Sequence, residues 1–546
     1  MDCTAQYLNY AATGSFSRIV IDYLAAEEKL QPFYTHPVSI DGIKAAIAAR
    51  KAYGGNRKLL VDVLEKQYAN TTLAPRQQSN IKKLSNTNCF TITTAHQPNI
   101  FTGHLYFVYK ILHIIKIAEE LTVAMPENNF VPVFYMGSED ADLEELGHIY
   151  LFGEKYAWKT GQTGAVGRMK VDKALIKLID DISGQLLVYP YGNEIITLMK
   201  NCYQLGTTIE QAAFKLINAL FSEYGLIVLL PDNADLKRAF IPVIEKELVE
   251  QFSHKAVSET VAGFAAAYKV QASGRELNLF YLTDKGRERI EKVGGEWLMV
   301  NGESSMVNGE SSMVNRTDKF SREEIEKELT DHPERFSPNV ILRPVFQEMI
   351  LPNIVFIGGG GELAYWLELK KVFEAVQVPY PVMVLRNSFM VITKELAALI
   401  NKLGFSNADL FAPETSLLNQ LVKRDSATQL SLVEEKAALA SLYEKMKLAT
   451  AKIDTTLTGH TDALKTAALK KIAALEKKML RAEKRKFEAQ QRQLHKIKAQ
   501  LFPHNGLQER IENIMPFYAK WGRDVIKMIY DNSKGLEQLF GILEEN

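Results

Sequence analysis

Cysteine is scarce in this 546-residue chain, which has only Cys3, Cys89 and Cys202. The number is odd, the three residues lie far apart, and no CxxC pair or histidine at ligand spacing accompanies them. Disulfide frameworks and structural zinc sites both need closely patterned cysteines, so the sequence argues against both. A reducing cytoplasm is the expected setting.

An excess of one charge and a long apolar run are also missing. Lysine plus arginine equals aspartate plus glutamate at 65 each, so no global field would hold the protein on nucleic acid or on an anionic membrane. No apolar run approaches the roughly 20 residues that span a bilayer, and the N-terminus has no basic region followed by an apolar one. We therefore expect no nucleic-acid partner and no membrane.

Short apolar runs alternate with amphipathic helices from residue 90 onward. Such alternation is typical of a parallel sheet that helices cover on both faces. The sequence therefore predicts an α/β fold with a Rossmann-like, doubly wound core. The predicted strands are CFTITT (89–94), NFVPVFYMG (129–137), YGLIVLLPD (224–232), NIVFIGGGG (353–361) and YPVMVLR (380–386).

The length predicts several units, since about 150 residues is usual for one domain. Residues 151–340 contain one convincing core strand, near 224–232, and are otherwise expected to be helices and irregular segments that wall a cleft. The polar unit MVNGESS, which is written twice and begun a third time over 299–315, is interpreted as a disordered or hairpin surface loop. The predicted units are an N-terminal helical segment (1–89), the first part of the core (90–150), the insertions (151–340), the second part of the core (341–415), an antiparallel coiled-coil arm (416–501) and a C-terminal segment that docks on the core (502–546).

The coiled-coil prediction depends on apolar residues at seven-residue spacing. Leu432, Leu439, Met446 and Ile453 repeat in this way, and after a break at TLTGHT a second apolar series begins. Two such helices joined by a breaker predict an antiparallel helical hairpin with a self-pairing surface. Apolar positions persist through the basic run 477–498, so this run is interpreted as the solvated face of a helix and not as a nucleic-acid arm.

The stretch TAHQPNIFTGHLYFVYK (94–110) is a polar loop that follows a strand and leads into a helix. Open α/β sheets bind ligands at the carboxyl ends of their strands, and a helix N-terminus there presents backbone N–H groups to an anion. The spacing matches neither GxxxxGK[ST] nor GxGxxG, and purely structural hydrogen bonds are an equal alternative. The candidate residues are His96, Gln97, Thr102, Gly103, Tyr106 and Lys110.

Five carboxylates follow the next strand in SEDADLEE (138–145). Crowded carboxylates raise one another's pKa, which suits a general base, and they can hold a substrate amine or a magnesium ion. An acidic helix N-terminus that begins at Ser138 is the alternative, and it accounts for Glu144 and Glu145. The candidates are Asp140 and Asp142 for catalysis and Ser138 and Glu139 for binding; no metal is assigned.

A third cluster lies in ILRPVFQEMILPNIVFIGGGGELAYW (341–366). Four glycines at a strand end let a ligand approach the backbone closely, because no Cβ intervenes. Arginine presents a planar fork that suits carboxylate or phosphate. Core packing of the aromatic pair and a tight glycine turn are the alternative. The binding candidates here and at the end of the last strand are Arg343, Gln347, Gly359, Gly360, Glu362, Tyr365, Trp366 and Arg386.

These motifs together resemble the bacillithiol biosynthesis cysteine-adding enzyme family. The resemblance is carried by TAHQPNIFTGHLYFVYK, VPVFYMGSEDADLEELGHIY, LRPVFQEMILPNIVFIGGGGELAYWLELKKVF, PVMVLRNSF and the late LFPHNGLQER. It implies a Rossmann-fold core related to class I aminoacyl-tRNA synthetases, with connecting-peptide insertions and a coiled-coil arm that forms a homodimer. It also implies the last step of bacillithiol synthesis, in which cysteine is joined to the amine of glucosaminyl-malate.

Two features depart from what the resemblance implies. His104 stands where proline is usual in the family, and no lysine loop of the KMSKS type follows the last core strand. A route through an aminoacyl-adenylate therefore does not carry over automatically. The cofactor is unknown, and the use of ATP or another nucleotide stays open.

The residues and the resemblance together give a hypothesis for the chemistry. Asp140 or Asp142 would deprotonate the acceptor amine, which attacks an activated cysteine carboxyl. Arg343 and Arg386 would hold the malate carboxylates or a phosphate. The remaining assignments are His96, Gln97 and the Gly103 loop for the activating group, and Tyr365 and Trp366 for the sugar. Two alternatives remain: an ATP-dependent amino-acid-activating or nucleotidyl-transfer enzyme with another acceptor, and a noncatalytic coiled-coil scaffold.

Overall fold

The computed structural model divides the described part of the chain into two compact units. The first comprises residues 1–391 and 506–544 with residue 546, and the second comprises residues 392–505 with residue 545. No helix in the described part is both long enough and apolar enough to cross a bilayer. The structure describes residues 2–264, 268–272, 274–283, 286–301, 306–307, 310–311, 315–427 and 430–546.

The first unit is built around a five-stranded parallel sheet. Its strands, in chain order, are Cys89–His96, Asn129–Met136, Ile227–Leu229, Asn353–Gly358 and Val382–Leu385. Their order in space is fifth, fourth, first, second and third, and every neighbouring pair is parallel. The first three strands thus lead from the centre of the sheet to one edge. The chain then returns to the centre, where the fourth strand lies beside the first, and the fifth strand forms the opposite edge. The predicted Rossmann-like fold is confirmed.

These strands form because apolar and β-branched side chains fill both faces of the sheet. Every residue of Asn353–Gly358 and of Val382–Leu385 is buried, as expected where helices cover both sides. The first two strands pair without a break from Cys89 to His96. Both therefore end at the same edge of the sheet, where the polar loops begin.

Helices surround this sheet in the first unit and make up most of the second. Those of the first unit are Arg18–Leu24, Ile40–Tyr53, Arg57–Tyr68, Pro75–Lys83, Leu105–Ala124, Leu143–Leu146, Lys173–Leu186, Gly192–Cys202, Ile209–Phe221, Ala234–Arg238, Ile241–Glu250, Phe252–Phe264, Arg322–Asp331, Arg343–Ile350, Gly360–Trp366, Lys370–Ala375, Met515–Trp521 and Asp524–Asp531. Those of the second unit are Lys394–Leu403, Glu414–Asp425, Val433–Ala451, Leu457–Lys484 and Glu488–Leu501.

The helix Leu105–Ala124 follows the first strand through a sharp loop. At Gly103 the φ angle is +63°, and an added Cβ would lie 2.8 Å from the Cβ of Asn99. Glycine is therefore required here both by backbone conformation and by space. Most residues of the helix are buried, which fixes the loop at the edge of the sheet.

The segment 151–340 contains more regular structure than the sequence predicts. It includes a five-stranded antiparallel sheet with the spatial order Asn315–Phe320, Glu296–Asn301, Arg287–Val293, Leu279–Leu282 and Phe336–Pro338. The expectation of irregular sequence is wrong for this part. The strands escape sequence analysis because they are short and rich in charge, as in RERIEKV.

Strand structure also begins the chain, where the sequence predicts only helices. Cys3–Leu8 lies in a three-stranded sheet beside Phe540–Glu545, which pairs in turn with Ser388–Ile392. The partners of this strand lie hundreds of residues away. Local sequence therefore carries little sign of it.

Two short antiparallel pairs complete the strands. His148–Leu151 pairs with Glu154–Ala157, and Met306–Val307 pairs with Glu310–Ser311. The second pair lies within the MVNGESS repeat. Residues 299–301 and 315 of the predicted surface loop belong to the strands Glu296–Asn301 and Asn315–Phe320, and positions 302–305, 308–309 and 312–314 lie outside the described residues.

In the second unit, two long helices form an antiparallel hairpin. Ion pairs join Lys436 to Glu476 and Lys447 to Asp462. Residue numbers that rise along the first helix thus face numbers that fall along the second, which shows that the helices are antiparallel. The predicted coiled-coil type of hairpin is therefore observed.

The hairpin leaves apolar side chains on its surface. Met446 and Ile453, which the seven-residue spacing assigned to one seam, are 44% and 82% exposed. Leu442 and Leu475 are 53% and 52% exposed. Apolar surface of this kind suits contact with another protein segment.

Candidate active site

A cleft of about 600 Å³ opens at the carboxyl edge of the parallel sheet, within the first unit. Residues from the first, second and fourth strands and from the loops that follow them meet there. The sequence candidates that line it are His96, Gln97, Tyr106, Lys110, Glu139, Asp140, Arg343, Gly359, Gly360, Glu362, Tyr365 and Arg386. The structure thus brings together segments that lie far apart in the chain.

Two candidates of the third cluster lie in the interior and not at the cleft. Trp366 is fully buried, and its ring centroid lies 4.3 Å from that of Phe356 and 5.6 Å from that of Phe373. Gln347 is also fully buried and donates a 3.0 Å hydrogen bond to Glu348. The structure therefore assigns Trp366 to core packing in place of the sugar contact expected from the sequence.

Four other candidates shape the loops without lining the cleft. Asp142 accepts a 2.9 Å hydrogen bond from a backbone N–H three residues on, and so caps a short helix. Ser138 is buried, and its carbonyl accepts a 3.0 Å bond from the N–H of Gly167. Thr102 and Gly103 form the turn before the long helix, with positive φ angles at both. The helix-capping alternative thus describes Asp142, which the sequence assigned to catalysis.

His96 ends the first strand and faces Tyr106, whose hydroxyl lies 3.4 Å from Nε2. Burial, together with the positive charge of Lys110, holds the pKa of His96 well below its usual value. Burial also raises the pKa of Tyr106, so its hydroxyl keeps its proton. At neutral pH the imidazole is therefore uncharged, and the same surroundings disfavour its protonated form.

Lys110, in the helix after the first loop, and Glu362, in the helix after the fourth strand, form an ion pair. Lys110 is 2% exposed and also donates a 2.9 Å hydrogen bond to the carbonyl of Ala95. Glu362 accepts a 2.9 Å bond from the N–H of Gly359 and so caps its own helix. The N-terminus of the helix Gly360–Trp366 is therefore occupied by a carboxylate of its own first turn.

The neighbouring carboxylates Glu139 and Asp140 have different environments. Glu139 is 8% exposed, pairs with buried Lys237, and accepts a 2.9 Å hydrogen bond from the hydroxyl of Ser337. Asp140 is held by Gln97, whose Nε2 donates to Oδ2 at 3.1 Å. Both residues line the cleft, but Glu139 is nearly buried and committed to Lys237, whereas the side chain of Asp140 is 33% exposed. Among the described residues, no group of three or more His, Cys, Asp or Glu side chains could hold a metal ion.

Behind Glu139 lies an ionic network, buried except at Arg168, that the sequence did not predict. Lys237 lies 3.4 Å from Asp232, and Arg168 forms two hydrogen bonds of 2.7 and 2.8 Å to the same carboxylate. Burial raises the pKa of Asp232, but these cations outweigh it and lower the pKa overall. The network fixes the end of the second strand, from which the acidic loop begins.

Glu210 faces this network and gives a testable pH dependence. Burial raises its pKa to about 7, and the charges of Asp232 and Glu139 add to the shift. Because the folded-state pKa is raised, the stabilisation is present below the unfolded-state value near 4.5 and is lost as the pH rises through about 7. Relative to Glu210→Gln, we expect the wild type to lose up to about 3 kcal/mol of unfolding free energy over this window. Urea unfolding of both proteins at several pH values measures this difference. If the unfolding free energies of wild type and Glu210→Gln change with pH in the same way, the prediction is wrong.

Arg343 begins a helix at the rim of the cleft and lacks a carboxylate partner among the described residues. Its Nη2 donates a 2.7 Å hydrogen bond to the hydroxyl of Tyr365, and its guanidinium lies 5.8 Å from the ring centre of Tyr135. These uncharged contacts orient the guanidinium group of Arg343 without neutralising its positive charge. The positive charge remains available to an anion in the cleft.

Arg386, by contrast, is already paired. Its two Nη atoms bind both oxygens of Glu509 at 2.8 and 2.9 Å, and the two side chains are 4% and 0% exposed. The guanidinium also lies 4.9 Å from the ring centre of Tyr106. The sequence assigned the guanidinium group of Arg386 to a substrate anion, but in the structure this group binds Glu509.

The segment 508–513 holds the first loop in place. The side chain of Asn513 donates to the carbonyls of Phe101, at 2.8 Å, and Gly103. Nδ1 of His104 lies 2.9 Å from the carbonyl of Ile511. The loop conformation thus depends on a segment some 400 residues further along the chain.

Family models match nearly the whole chain. Residues 1–387 match the N-terminal Rossmann-like domain of bacillithiol biosynthesis BshC, and residues 389–545 match its C-terminal coiled-coil domain. The chain belongs to the BshC family. The resemblance predicted from the motifs is thereby confirmed.

Relatives of similar length carry the name "Putative cysteine ligase BshC". The BshC of Flavobacterium johnsoniae is 37% identical over 538 residues, which cover 98% of this chain and 99% of the relative. That of Cytophaga hutchinsonii is 38% identical, with 95% and 94% covered, and that of Chlorobaculum tepidum is 29% identical, with 86% and 85% covered. The similarity to BshC proteins thus extends over both units.

Two arginines in the cleft of this BshC-family chain escape the sequence analysis. Arg287 comes from the insertion sheet, and Arg510 comes from the segment that holds the first loop. Arg510 lies in LFPHNGLQER, one of the motifs that carry the BshC resemblance, but no local pattern singles it out. His104, Tyr135 and Asn339 also line the cleft. Only the fold brings these side chains to the site.

Proposed function

We propose that this chain is a cysteine ligase that joins the carboxyl group of L-cysteine to the amine of glucosaminyl-malate, in the last step of bacillithiol biosynthesis. Relatives at 36–38% identity that carry the name of a cysteine ligase support the reaction type. The BshC family models support the pathway. The acceptor follows from the family resemblance, and the cytoplasmic setting follows from the cysteine content.

The observation that carries the proposal is the placement of charge in the cleft. Arg343 and Arg510 both line it, and neither is paired with a carboxylate among the described residues. The acceptor has two carboxylates on its malate part, and two free guanidinium groups suit such a dianion. Because Arg386 is paired with Glu509, we assign the malate carboxylates to Arg343 and Arg510.

His96 supplies the proton acceptor in this proposal. When the acceptor nitrogen bonds to the activated cysteine carbon, the nitrogen becomes strongly acidic and must lose a proton. The imidazole of His96 lines the cleft and is the uncharged nitrogen base placed to accept it. The C–N bond forms, the activating group leaves with its electron pair, and the proton passes to Nε2 of His96, which the Tyr106 hydroxyl faces.

Aromatic hydroxyls take the sugar part in this proposal. Tyr106 and Tyr365 line the cleft, and Tyr365 is fixed by Arg343. They replace Trp366, which is enclosed by the core. Gly359 and Gly360 leave room for the ligand beside them.

Mass spectrometry tests the reaction. The full-length protein is incubated with cysteine and glucosaminyl-malate, with and without ATP, and the product mass is sought. We expect a product that contains one cysteine and one acceptor, and the ATP dependence identifies the energy source. If cysteine-dependent exchange between ATP and pyrophosphate occurs without this product, the enzyme activates an amino acid for another acceptor.

We also propose that the second unit mediates a homodimer. The exposed leucines on its hairpin support this, because apolar side chains of this kind pair readily with a second copy. We expect Leu442→Glu combined with Leu475→Glu to raise the dimer dissociation constant by at least about 100-fold, since burying these charges costs in total a few kcal/mol or more. Light scattering would then give 61.5 kDa in place of twice this mass. Ser441→Glu, at an exposed polar position, is the control, and a dimer unaffected by the leucine changes would contradict the proposal.

A further inference from the structure

Gln97, Asp140 and Arg287 form a compact group at one side of the cleft. Arg287 Nη1 lies 3.7 Å from Oδ1 of Asp140, and Gln97 Nε2 lies 3.1 Å from Oδ2. The three residues come from the first strand end, the second strand end and the insertion sheet. All three line the cleft.

The orientation of Arg287 is fixed by contacts on its far side. Nε and Nη2 donate to the hydroxyl of Ser337 at 3.3 and 3.1 Å, and Nη2 also donates to the carbonyl of Pro338 at 3.1 Å. The guanidinium lies 4.2 Å from the ring centre of Phe280. Nη1 alone is left to face Asp140 and the cleft, and its 3.7 Å separation is too long for a strong hydrogen bond.

Gln97 and Asp140 are likewise fixed with unused acceptor capacity. The amide nitrogen of Gln97 is committed to Asp140, so its amide oxygen is left without a donor among the described residues. Asp140 is 33% exposed, and its Oδ1 accepts only a 3.4 Å bond from the N–H of Asp142. Two acceptors, the amide oxygen of Gln97 and the carboxylate of Asp140, therefore lie beside one charged donor, Nη1 of Arg287.

A zwitterionic α-amino acid has the complementary arrangement. Its ammonium group can donate three hydrogen bonds to protein acceptors. Its carboxylate, attached to the same carbon, can accept hydrogen bonds from a protein donor. We propose that this group, named here the amino-acid subsite, binds L-cysteine, with the ammonium on Asp140 and the Gln97 amide oxygen and the carboxylate on Arg287. The assignment rests on the proposed ligase function and specifies where its amino-acid substrate lies.

The rest of the cleft supports this orientation. The free arginines Arg343 and Arg510 are suited to the dianionic acceptor, and a carboxylate such as Asp140 beside them would repel it. With cysteine in the amino-acid subsite, its carboxyl carbon is held in the same cleft as the acceptor. Nη1 of Arg287 then offsets negative charge on the carboxyl oxygen as the nitrogen attacks.

Truncated ligands test each half of the subsite. Calorimetry on the full-length protein, without acceptor and under reducing conditions, compares L-cysteine with cysteamine, which lacks the carboxylate, and with 3-mercaptopropionate, which lacks the ammonium group. We expect Arg287→Ala to weaken L-cysteine binding by about 10- to 100-fold and to leave cysteamine binding unchanged. Asp140→Asn should weaken L-cysteine binding to a similar extent and leave 3-mercaptopropionate binding unchanged.

Matched controls separate the subsite from folding. Asp142→Asn changes the neighbouring carboxylate, which does not line the cleft, and Arg322→Ala removes an exposed arginine. Neither should alter binding of any of the three ligands. Because Arg287 also supports the loop at Ser337, the Asp140→Asn result stands as an independent test if Arg287→Ala does not fold.

The outcomes distinguish the subsite from the ligase proposal. If Arg287→Ala weakens cysteamine as much as L-cysteine, or if the wild type binds no L-cysteine, the subsite assignment is wrong. If cysteine binds as described but no product with glucosaminyl-malate forms, the ligase proposal fails and the subsite remains. If product forms and both substitutions leave cysteine binding intact, the ligase proposal holds and the subsite fails.

Discussion

Arg343→Ala is expected to lower kcat/KM for glucosaminyl-malate by about 100- to 1,000-fold. Removing one partner of a buried, hydrogen-bonded charge pair costs about 2–5 kcal/mol, and here the other partner would be a substrate carboxylate. The loss should appear mainly as a higher KM for the acceptor, because Arg343 is assigned to binding and not to proton transfer. Steady-state rates of product formation, with cysteine saturating, give both parameters.

A truncated acceptor makes this prediction specific. A glucosaminide without malate lacks the carboxylates, so wild type and Arg343→Ala should use it equally poorly. Tyr365→Phe is a comparison variant that keeps the guanidinium but removes its 2.7 Å hydrogen bond, together with the hydroxyl assigned to the sugar; about a tenfold loss is expected from one hydrogen bond to a charged group. An Arg343→Ala enzyme that discriminates between the two acceptors as strongly as the wild type would contradict the assignment.

The core of the fold could be predicted because its signal is local. Each strand of the parallel sheet is a run of apolar and β-branched residues, as in Asn353–Gly358, and is buried on both faces. Such runs can be recognised without knowledge of their partners. The strands Cys3–Leu8 and Arg287–Val293 could not be recognised, because one pairs with the far end of the chain and the other alternates charge with apolar residues.

The candidate site could be predicted only where it follows strand ends. His96 is the last residue of one recognisable strand and Asp140 lies in the loop after the next, and the rule that ligands bind at the carboxyl ends of strands locates both. Arg287 and Arg510 reach the same cleft from an insertion and from the C-terminal segment, which no strand pattern connects to it. The sequence also cannot tell a free arginine from a paired one, since the pairing of Arg386 depends on Glu509.

The Arg386–Glu509 pair gives the largest expected effect on stability. Glu509→Ala leaves a guanidinium that is 4% exposed without its partner, and breaking a buried ion pair in this way costs about 3–5 kcal/mol. We expect the free energy of unfolding of the first unit to fall by this amount, as measured by urea denaturation. The effect should reach the cleft as well, because Glu509 lies beside Arg510 in the segment that holds the first loop.

A double-mutant cycle distinguishes pairing from packing. If the cost arises from the unpaired charge, Arg386→Leu combined with Glu509→Leu should destabilise the protein less than Glu509→Leu alone, since two apolar side chains replace the pair without leaving a buried charge. Purely additive losses would show that Arg386 and Glu509 act independently. In that case the fork of Arg386 would not be committed to Glu509, and Arg386 would again compete with Arg510 for the malate carboxylates.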